Sequence, residues 1–212
     1  MSMTDDDFNK ELKKAIWRDN SLPPEPFKPV EPKGEPITSF SGPYRFLSNF
    51  WMCNIEALNR KFTSVEAAYQ AAKRVDDLNY HEKLSRLGPS EAKKMGKGIE
   101  ITTPDWDLIT KFQVMRSLVE QKFTNAFDLR CMLLATKERH LEEGNHWKDT
   151  IWGTDKSKPL HPLVAEIVGT VFEGKNALGE ILMDTRRLLK ISLTGQAFVK
   201  NKVKGIPIDG YE

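Results

Sequence analysis

Cysteine is scarce in this sequence, because only Cys53 and Cys131 are present and they lie far apart in apolar contexts. We therefore expect both to be reduced, packed thiols, as in a protein of a cytosolic type of compartment. Neither cysteine belongs to a CxxC or CxxxH spacing, and the histidines form no HExxH-like pair. Because the spacings typical of zinc sites are missing, we expect no metal and no cofactor.

Long hydrophobic runs and a strong charge imbalance are also missing. The N-terminus begins with acidic residues and has no apolar region typical of a signal peptide, and no run approaches the length of a membrane span. We therefore expect a cytoplasmic protein with no membrane partner. A net charge of +2, with 39% hydrophobic and 29% charged residues, is typical of a soluble globular protein. It argues against a strongly basic nucleic-acid coat, although a local basic patch stays possible.

The motifs of several large enzyme classes are absent as well: there is no GxGxxG, no P-loop and no GxSxG elbow. Proline is concentrated in residues 22–36. Because proline removes backbone donors and forbids a helix, this stretch is predicted to be an extended connector after a short amphipathic segment. We interpret residues 1–36 as a Pro-rich N-terminal appendage, with simple terminal disorder as the alternative. The folded domain is predicted over 37–190, and a basic tail over 191–212.

The most informative stretch is SVEAAYQAAK at residues 64–73, which is predicted to be a helix. At helical spacing, Glu66, Gln70 and Lys73 lie within roughly 40° of one another, with Tyr69 to one side. Small apolar residues cover much of the remaining circumference, which favours a close-packed helix whose narrow polar stripe faces a partly buried cavity. A carboxylate, an amide and an amine on one inward face suit hydrolytic chemistry. The alternative is an ordinary surface pair.

The rest of the domain is predicted to alternate short strands and helices. Turn residues and runs of β-formers indicate strands, and capping residues with apolar periodicity indicate helices. Before the polar helix we expect strands at 37–40 and 51–57, flanking a tight aromatic loop at 44–50. After it we expect two short helices within 78–98, a long helix started by Thr103 and ending near Phe123, a helix at 125–135, a strand and glycine turn at 149–155, an inserted excursion at 156–175, and a helix capped by Asn176.

Polar residues set among apolar or glycine-rich neighbours mark three further candidate stretches, at 46–51, 151–155 and 174–179. Asn49 lies between aromatic residues, Trp152 precedes a glycine turn, and Asn176 lies in a glycine-rich helix opening whose free N–H groups would suit a phosphate. Each also has a structural explanation. Asn49 suits an Asx turn, Trp152 a core position, and Asn176 a helix cap.

Taken together and in this order, these stretches resemble the NADAR family. The resemblance rests on FSGPYRFLSNFW, FTSVEAAYQAAK, LLAT, TIWGTD and GKNALGEILMDTR, and it covers roughly residues 37–189. It implies a single compact α+β domain that is mostly helical, with a small sheet. The family includes N-glycosidases acting on riboflavin-pathway intermediates and hydrolases that remove ADP-ribose from guanine bases, so the resemblance implies cleavage of a C–N bond at the anomeric carbon of a ribose.

The resemblance also implies roles for the candidate residues. Glu66 is the first candidate for the carboxylate or general acid/base, and Lys73 for a nucleophile that forms a Schiff base with the opened sugar, since a lysine mechanism is suggested for the family. An ion pair with Glu66 or a phosphate contact is the alternative for Lys73. Asp155 would bind a ribose hydroxyl or assist as a second acid. The candidate substrate-binding residues are Ser48, Asn49, Phe50, Tyr69, Gln70, Trp152, Gly153 and Asn176.

The leading expectation for function is removal of ADP-ribose from guanine in nucleic acid, with DNA as a partner to test. The basic tail, which could lie near a phosphate backbone, adds thin support. One alternative is hydrolysis of ribosylaminopyrimidine phosphates of riboflavin synthesis, whose partner would be a ribosylated small molecule. Another is a non-catalytic module that binds ADP-ribose or NAD. The sequence leaves the oligomeric state open.

Overall fold

The computed structural model describes residues 34–203, with no side-chain description at 167 and 193–203. Most of the predicted N-terminal appendage and the end of the predicted basic tail therefore lie outside the described residues. Helices predominate in the described part, together with two small sheets, which confirms the predicted α+β class. The helices are α1 (Val65–Ala71), α2 (Leu78–Ser85), α3 (Pro89–Met95), α4 (Lys111–Asn125), α5 (Phe127–Ala135), α6 (Pro162–Val168) and α7 (Ala177–Val203).

The strands form two separate sheets. They are β1 (Ile55–Ala57), β2 (Arg60–Phe62), β3 (Gly144–Asn145), β4 (Thr154–Pro159) and β5 (Phe172–Glu173). β1 and β2 form an antiparallel hairpin, whose turn residues Leu58 and Asn59 have φ of 51° and 56°, as a type I′ turn requires. The second sheet has the order β3-β4-β5, with β3 parallel to β4 and β5 antiparallel to it.

Helix α1 lies at the centre of the described fold, and every residue from Val65 to Ala71 is buried. Helices α2, α3 and α4 all pack against it, and its small side chains let their backbones approach closely. The helix begins as predicted, because the Ser64 hydroxyl accepts a hydrogen bond from the Ala67 amide at 3.1 Å. Its polar stripe faces inward: Glu66 is 6% exposed and Gln70 is 5% exposed. The alternative of an exposed surface pair is therefore excluded.

The predicted helix start at Thr103 is wrong. The Thr103 hydroxyl donates to the carbonyl of Ala72 at 2.6 Å, so it joins this segment to the end of α1 and does not cap a helix. Asp105 then adopts a left-handed conformation, and a π-helical segment (Trp106–Thr110) precedes α4. The Thr103 side chain therefore forms a tertiary hydrogen bond in place of the local capping bond that the sequence predicts.

The other differences lie in segments where fewer residues form regular strands than the sequence predicts. The strand predicted at 37–40 is reduced to an isolated bridge between Ile37 and Leu141, and the one predicted at 51–57 is regular only over β1. Part of the aromatic loop is a 3-10 helix (Gly42–Leu47). The segment 149–153 is a turn, because the Asp149 carboxylate accepts hydrogen bonds from two following amides, and the strand begins only afterwards.

The structure also bears on three further predictions. Helices α2 and α3 both lie within the predicted range 78–98. Both cysteines are free, as expected, but Cys131 is exposed and is not a packed thiol. Among residues 34–203, no helix is both long and apolar enough to cross a membrane.

Ser64→Ala is expected to lower the free energy of unfolding by about 1 kcal/mol, because it removes the acceptor of a buried N-cap hydrogen bond. Urea denaturation of both proteins measures this difference. Ser192→Ala is the matched control, since that serine is exposed within α7 and alanine has the higher helix propensity. Equal losses in the two variants would contradict the capping role.

Candidate active site

A cavity of about 920 Å³ lies between α1, the segment 39–50, α3 and the segment 143–152. Its lining includes eight of the residues predicted from the sequence, which come from three separate stretches: Ser48, Asn49, Phe50, Glu66, Tyr69, Gln70, Lys73 and Trp152. Because the volume falls at the upper end of the range of ligand pockets, roughly 300–1,000 Å³, the cavity has room for a large ligand.

Glu66 is held on the cavity wall by its neighbour one turn along α1. The Gln70 side-chain amide donates a hydrogen bond to the Glu66 carboxylate at 2.7 Å, and a Cβ at Gly96 would clash with the Gln70 side chain. Burial raises the pKa of Glu66, while the hydrogen bond from Gln70 and the positive charges of Lys93 and Lys73 lower it. The net effect is a raised pKa, so the Glu66 carboxyl group holds its proton more readily than an exposed glutamate does.

Helix α1 ends at Ala71, two residues before the predicted end, so Lys73 lies in the turn that follows the helix, where it is half-buried. Its amine donates a hydrogen bond to the Gly96 carbonyl at 3.1 Å. Burial lowers the pKa of Lys73, although the negative charges of Glu66 and Asp107 partly oppose that effect. A lysine with a lowered pKa has more neutral amine available, which is the form that attacks a carbonyl carbon.

Aromatic side chains form one wall of the cavity. Tyr69 and Trp152 meet edge to face with ring centroids 5.6 Å apart. Behind them, Trp106 packs on Tyr69 at 5.1 Å and Phe112 packs on Trp152 at 5.3 Å. Because each ring is supported by another, the wall is rigid and offers a flat apolar surface to a base or a sugar.

The loop that carries Ser48, Asn49 and Phe50 is tied to both neighbouring helices. The Glu66 amide donates to the Asn49 carbonyl at 3.1 Å, and the Lys122 amine donates to the Ser48 carbonyl at 2.8 Å. Lys122 is only 1% exposed. Burial lowers the pKa of Lys122 to about 7. The amine that anchors this loop is therefore only partly protonated at neutral pH.

The other predicted site residues, Asp155, Gly153 and Asn176, do not belong to the cavity lining. Asp155 is buried, and its carboxylate accepts hydrogen bonds from the amide and hydroxyl of Ser157 at 3.0 and 2.7 Å; these bonds lower its pKa. This geometry gives no support to the catalytic role predicted for Asp155, because its carboxylate is already engaged in a turn.

Asn176 and Gly153 instead fix the chain next to the cavity. The Asn176 side chain accepts a hydrogen bond from the Glu143 amide at 3.1 Å and donates to the Leu141 carbonyl at 2.8 Å. A Cβ at Gly153 would clash with the Glu143 carbonyl. In the structure, Asn176 and Gly153 therefore fix the position of the segment 141–143.

Sequence reasoning missed several charged or polar residues of the lining, including Lys93, Glu143, Asn145, Asp149 and Lys156. Burial and the negative charge of Asp149 raise the pKa of Glu143 to about 7. No local signal marks Glu143, because it follows another glutamate in a stretch without clear periodicity. Within the described part of the chain, no three His, Cys, Asp or Glu side chains are grouped to hold a metal ion.

The buried amine of Lys122 predicts a specific dependence of stability on pH. Its pKa of about 7 in the folded protein lies below the ordinary value of 10.5, so between these values the unfolded state binds more protons. The free energy of unfolding should therefore rise with pH in this window, with a contribution from Lys122 of at most about 1.4 kcal/mol per pH unit. Urea denaturation between pH 7.5 and 9 measures it.

Lys122→Met is expected to remove that contribution, so its slope against pH should be smaller than that of the wild type. Lys97→Met, at an exposed position on the loop after α3, is the control and should keep the wild-type slope. A wild-type slope in the Lys122 variant would show that its amine does not titrate in this window.

Comparison with known proteins agrees with this geometry. The NADAR domain family model matches residues 38–190. The N-glycosidase YbiA of Escherichia coli is 32% identical over 155 residues, covering 72% of this chain and 86% of that protein. The N-glycosidase Npun_R5314 of Nostoc punctiforme is 32% identical over 162 residues, covering 72% of this chain and 92% of its own.

A further relative and a solved structure are also similar to this chain. The riboflavin biosynthesis protein VVA0006 of Vibrio vulnificus is 33% identical over 147 residues, which are 68% of this chain but only 35% of that protein. The NMR structure of the E. coli protein YbiA superposes with a TM-score of 0.61 at 29% identity, covering 76% of this chain and 88% of that chain. From the family model, the relatives and the shared fold, we conclude that this chain belongs to the NADAR family.

Proposed function

We propose that this N-glycosyl hydrolase removes ADP-ribose from guanine bases of nucleic acid. The observation that carries the proposal is the meeting of Glu66 and Lys73 in one large cavity that also has an aromatic wall. The N-glycosidase names of two relatives support the class of bond that is cleaved. The identity of the base and of the group removed is the part that experiment has to decide.

The residue types suit cleavage of a C–N bond at an anomeric carbon. As this bond breaks, positive charge develops at C1 of the ribose, and a carboxylate beside it stabilises that charge. In this proposal Glu66 has that role, and the hydrogen bond from Gln70 to its carboxylate, which keeps one oxygen fixed, supports the assignment. The low-polarity surroundings of a buried site strengthen such an interaction.

Lys73 supplies the nucleophile in this proposal. Its neutral amine forms a bond to C1 while the bond from C1 to the guanine nitrogen breaks, with the electron pair moving to that nitrogen. After loss of a proton from the lysine nitrogen, the bond from C1 to the ring oxygen breaks, its electron pair moves to that oxygen, which takes up a proton, and a Schiff base forms between C1 and the lysine nitrogen. Water then adds to C1, the lysine nitrogen leaves, and ADP-ribose is released with the lysine restored.

The size and charge of the cavity support a ligand with two phosphates and more than one ring system. Lys93 and Lys156 line it together with Lys73, and Lys93 lies over the Phe50 ring at 5.4 Å. Trp147 also lines the cavity, although it is 66% exposed. An exposed tryptophan beside a cavity that carries three lysines is suited to stack on a nucleobase.

The second candidate is hydrolysis of ribosylaminopyrimidine phosphates of riboflavin synthesis. It is favoured by the name of the V. vulnificus relative, although this chain spans only about a third of that protein's length. A single phosphate and a small pyrimidine would leave much of a 920 Å³ cavity unfilled. A non-catalytic ADP-ribose or NAD-binding module is the third candidate, and a pure binder would not need both Glu66 and Lys73 in the cavity.

The substrate is decided by incubating the protein with DNA carrying ADP-ribosylated guanine and, separately, with the ribosylaminopyrimidine phosphates. Release of ADP-ribose from the first substrate, without turnover of the second, is the expected result. Turnover of the pyrimidine alone would replace the leading candidate by the second. Tight binding of ADP-ribose with no turnover of either substrate would favour the binding module.

Glu66→Gln and Lys73→Ala are each expected to reduce turnover by about 100-fold or more, because they remove a charge-stabilising carboxylate and a nucleophile. Steady-state rates on the preferred substrate measure the loss. Glu173→Gln and Lys83→Ala are matched controls, since both residues are exposed and lie outside the cavity lining. Near-normal rates in both cavity variants would remove this mechanism.

Trp147→Ala is expected to raise KM for the ADP-ribosylated DNA by about 10-fold with little change in kcat, because stacking of one base is worth roughly 1–3 kcal/mol. Trp147→Phe should retain most of the affinity, since it keeps an aromatic face. Steady-state kinetics with the DNA substrate measures both. An unchanged KM in the alanine variant would mean that this side chain does not contact the bound nucleic acid.

A further inference from the structure

A second acidic side chain, that of Glu143, lines the same cavity as Glu66 and comes from a different part of the fold. It directly precedes β3, whereas Glu66 lies on α1. Its neighbour Glu142 is fully buried and accepts hydrogen bonds from the Thr154 hydroxyl at 2.6 Å and from the Val171 amide at 2.8 Å. The two adjacent glutamates therefore differ: Glu142 has a structural role, and Glu143 faces the cavity.

The backbone of Glu143 is held on both sides. Its amide donates to the Asn176 side chain at 3.1 Å, and its carbonyl accepts from the Thr154 amide at 3.1 Å. The absence of a side chain at Gly153 lets the chains approach, because a Cβ there would clash with the Glu143 carbonyl. A residue held in this way presents its side chain to the cavity from a fixed position.

The carboxyl group of Glu143 differs from that of Glu66 in its partners. Glu66 accepts a hydrogen bond from Gln70, which stabilises its ionised form. Among residues 34–203, we find no hydrogen bond donated to the Glu143 carboxyl group, and burial, followed by the negative charges of Asp149 and Glu66, opposes its ionisation. The proton in this pair of carboxyl groups is therefore favoured on Glu143.

Positive groups also act on Glu143. The balance between them, the acidic neighbours and burial decides whether its carboxyl group is ionised. Lys93 on α3 and Lys122 on α4 both favour the ionised form, while burial and the two acidic neighbours favour the protonated one. The result is a pKa of about 7, so a large fraction of Glu143 carries a proton at neutral pH. A general acid is most effective when its pKa lies near the working pH.

We propose that Glu143 is the general acid that protonates the nitrogen of the departing base, with Asn176 and Gly153 as positioning residues. The proposal rests on the N-glycosyl hydrolysis argued above. The C1–N bond breaks with its electron pair moving to the nitrogen, and the proton passes from the Glu143 carboxyl group to that nitrogen. Glu143 is left as a carboxylate. The water that later adds to C1 supplies the proton that restores it.

The test is the ratio of kcat/KM between wild type and Glu143→Gln from pH 6 to pH 9, on whichever substrate the wild type turns over. Titrations shared by the two proteins cancel in this ratio. At pH 6 we expect the variant to be about 100-fold slower, because glutamine keeps the shape but has no acidic proton. Towards pH 9 the gap should shrink to a few-fold, because wild-type Glu143 has then lost its proton.

Glu143→Asp should recover part of the lost rate at pH 6, because it restores a carboxylic acid on a shorter side chain. Glu173→Gln is the control for loss of an exposed glutamate and should match the wild type at every pH. Asn176→Ala tests positioning: it should lower kcat in the wild-type background but cause little further loss in the Glu143→Gln background, since coupled residues are not additive.

The outcomes separate this inference from the proposed function. A wild type that turns over neither substrate overturns the proposed function, and the role of Glu143 falls with it. An active wild type whose Glu143→Gln variant is equally fast at pH 6 overturns the role of Glu143 alone. A loss in that variant that is the same at every pH also overturns it, because such a loss reflects structure and not proton transfer.

Discussion

The rest of the site depends on the burial of one short helix. Helix α1 is enclosed on all sides along its length, yet it carries a glutamate and a glutamine on its inner stripe. A buried carboxylate without partners would be strongly destabilising. The hydrogen bond from Gln70 to Glu66 offsets part of that cost, and the lysines of the cavity offset more. Reactivity and stability therefore depend on the same few contacts.

The opposite side of the cavity is built by segments far apart in the chain. The second sheet, the turn at Asp149 and the start of α7 meet near Glu143, where the Asn176 side chain joins the start of α7 to the segment 141–143. Their placement follows from backbone hydrogen bonds and from close approach at Gly153. One wall of the site is thus set by helix packing, and the other by loop geometry.

Both walls of the cavity contribute charged side chains. Acidic groups from both walls, Glu66 and Glu143, line the cavity. Burial raises the pKa of both carboxyl groups, and the negative charges of Asp149 and Glu66 raise that of Glu143 further. Lysines from the turn after α1, from α3 and from β4 line the same cavity. This arrangement suits a reaction in which positive charge develops at a sugar carbon while phosphates of the same ligand are held nearby.

The sequence by itself determined the helix start at Ser64 and favoured an inward polar stripe, because a cap, a 3.6-residue period and small side chains are local signals. The family and the α+β class were expected from the resemblance of five stretches to known members. Only the tertiary structure decided the role of Thr103, whose hydroxyl bonds to the distant Ala72 carbonyl, and placed Asp155 outside the cavity lining. It also brought Glu143 to the cavity, because a carboxyl group's neighbours and burial depend on contacts between distant parts of the chain.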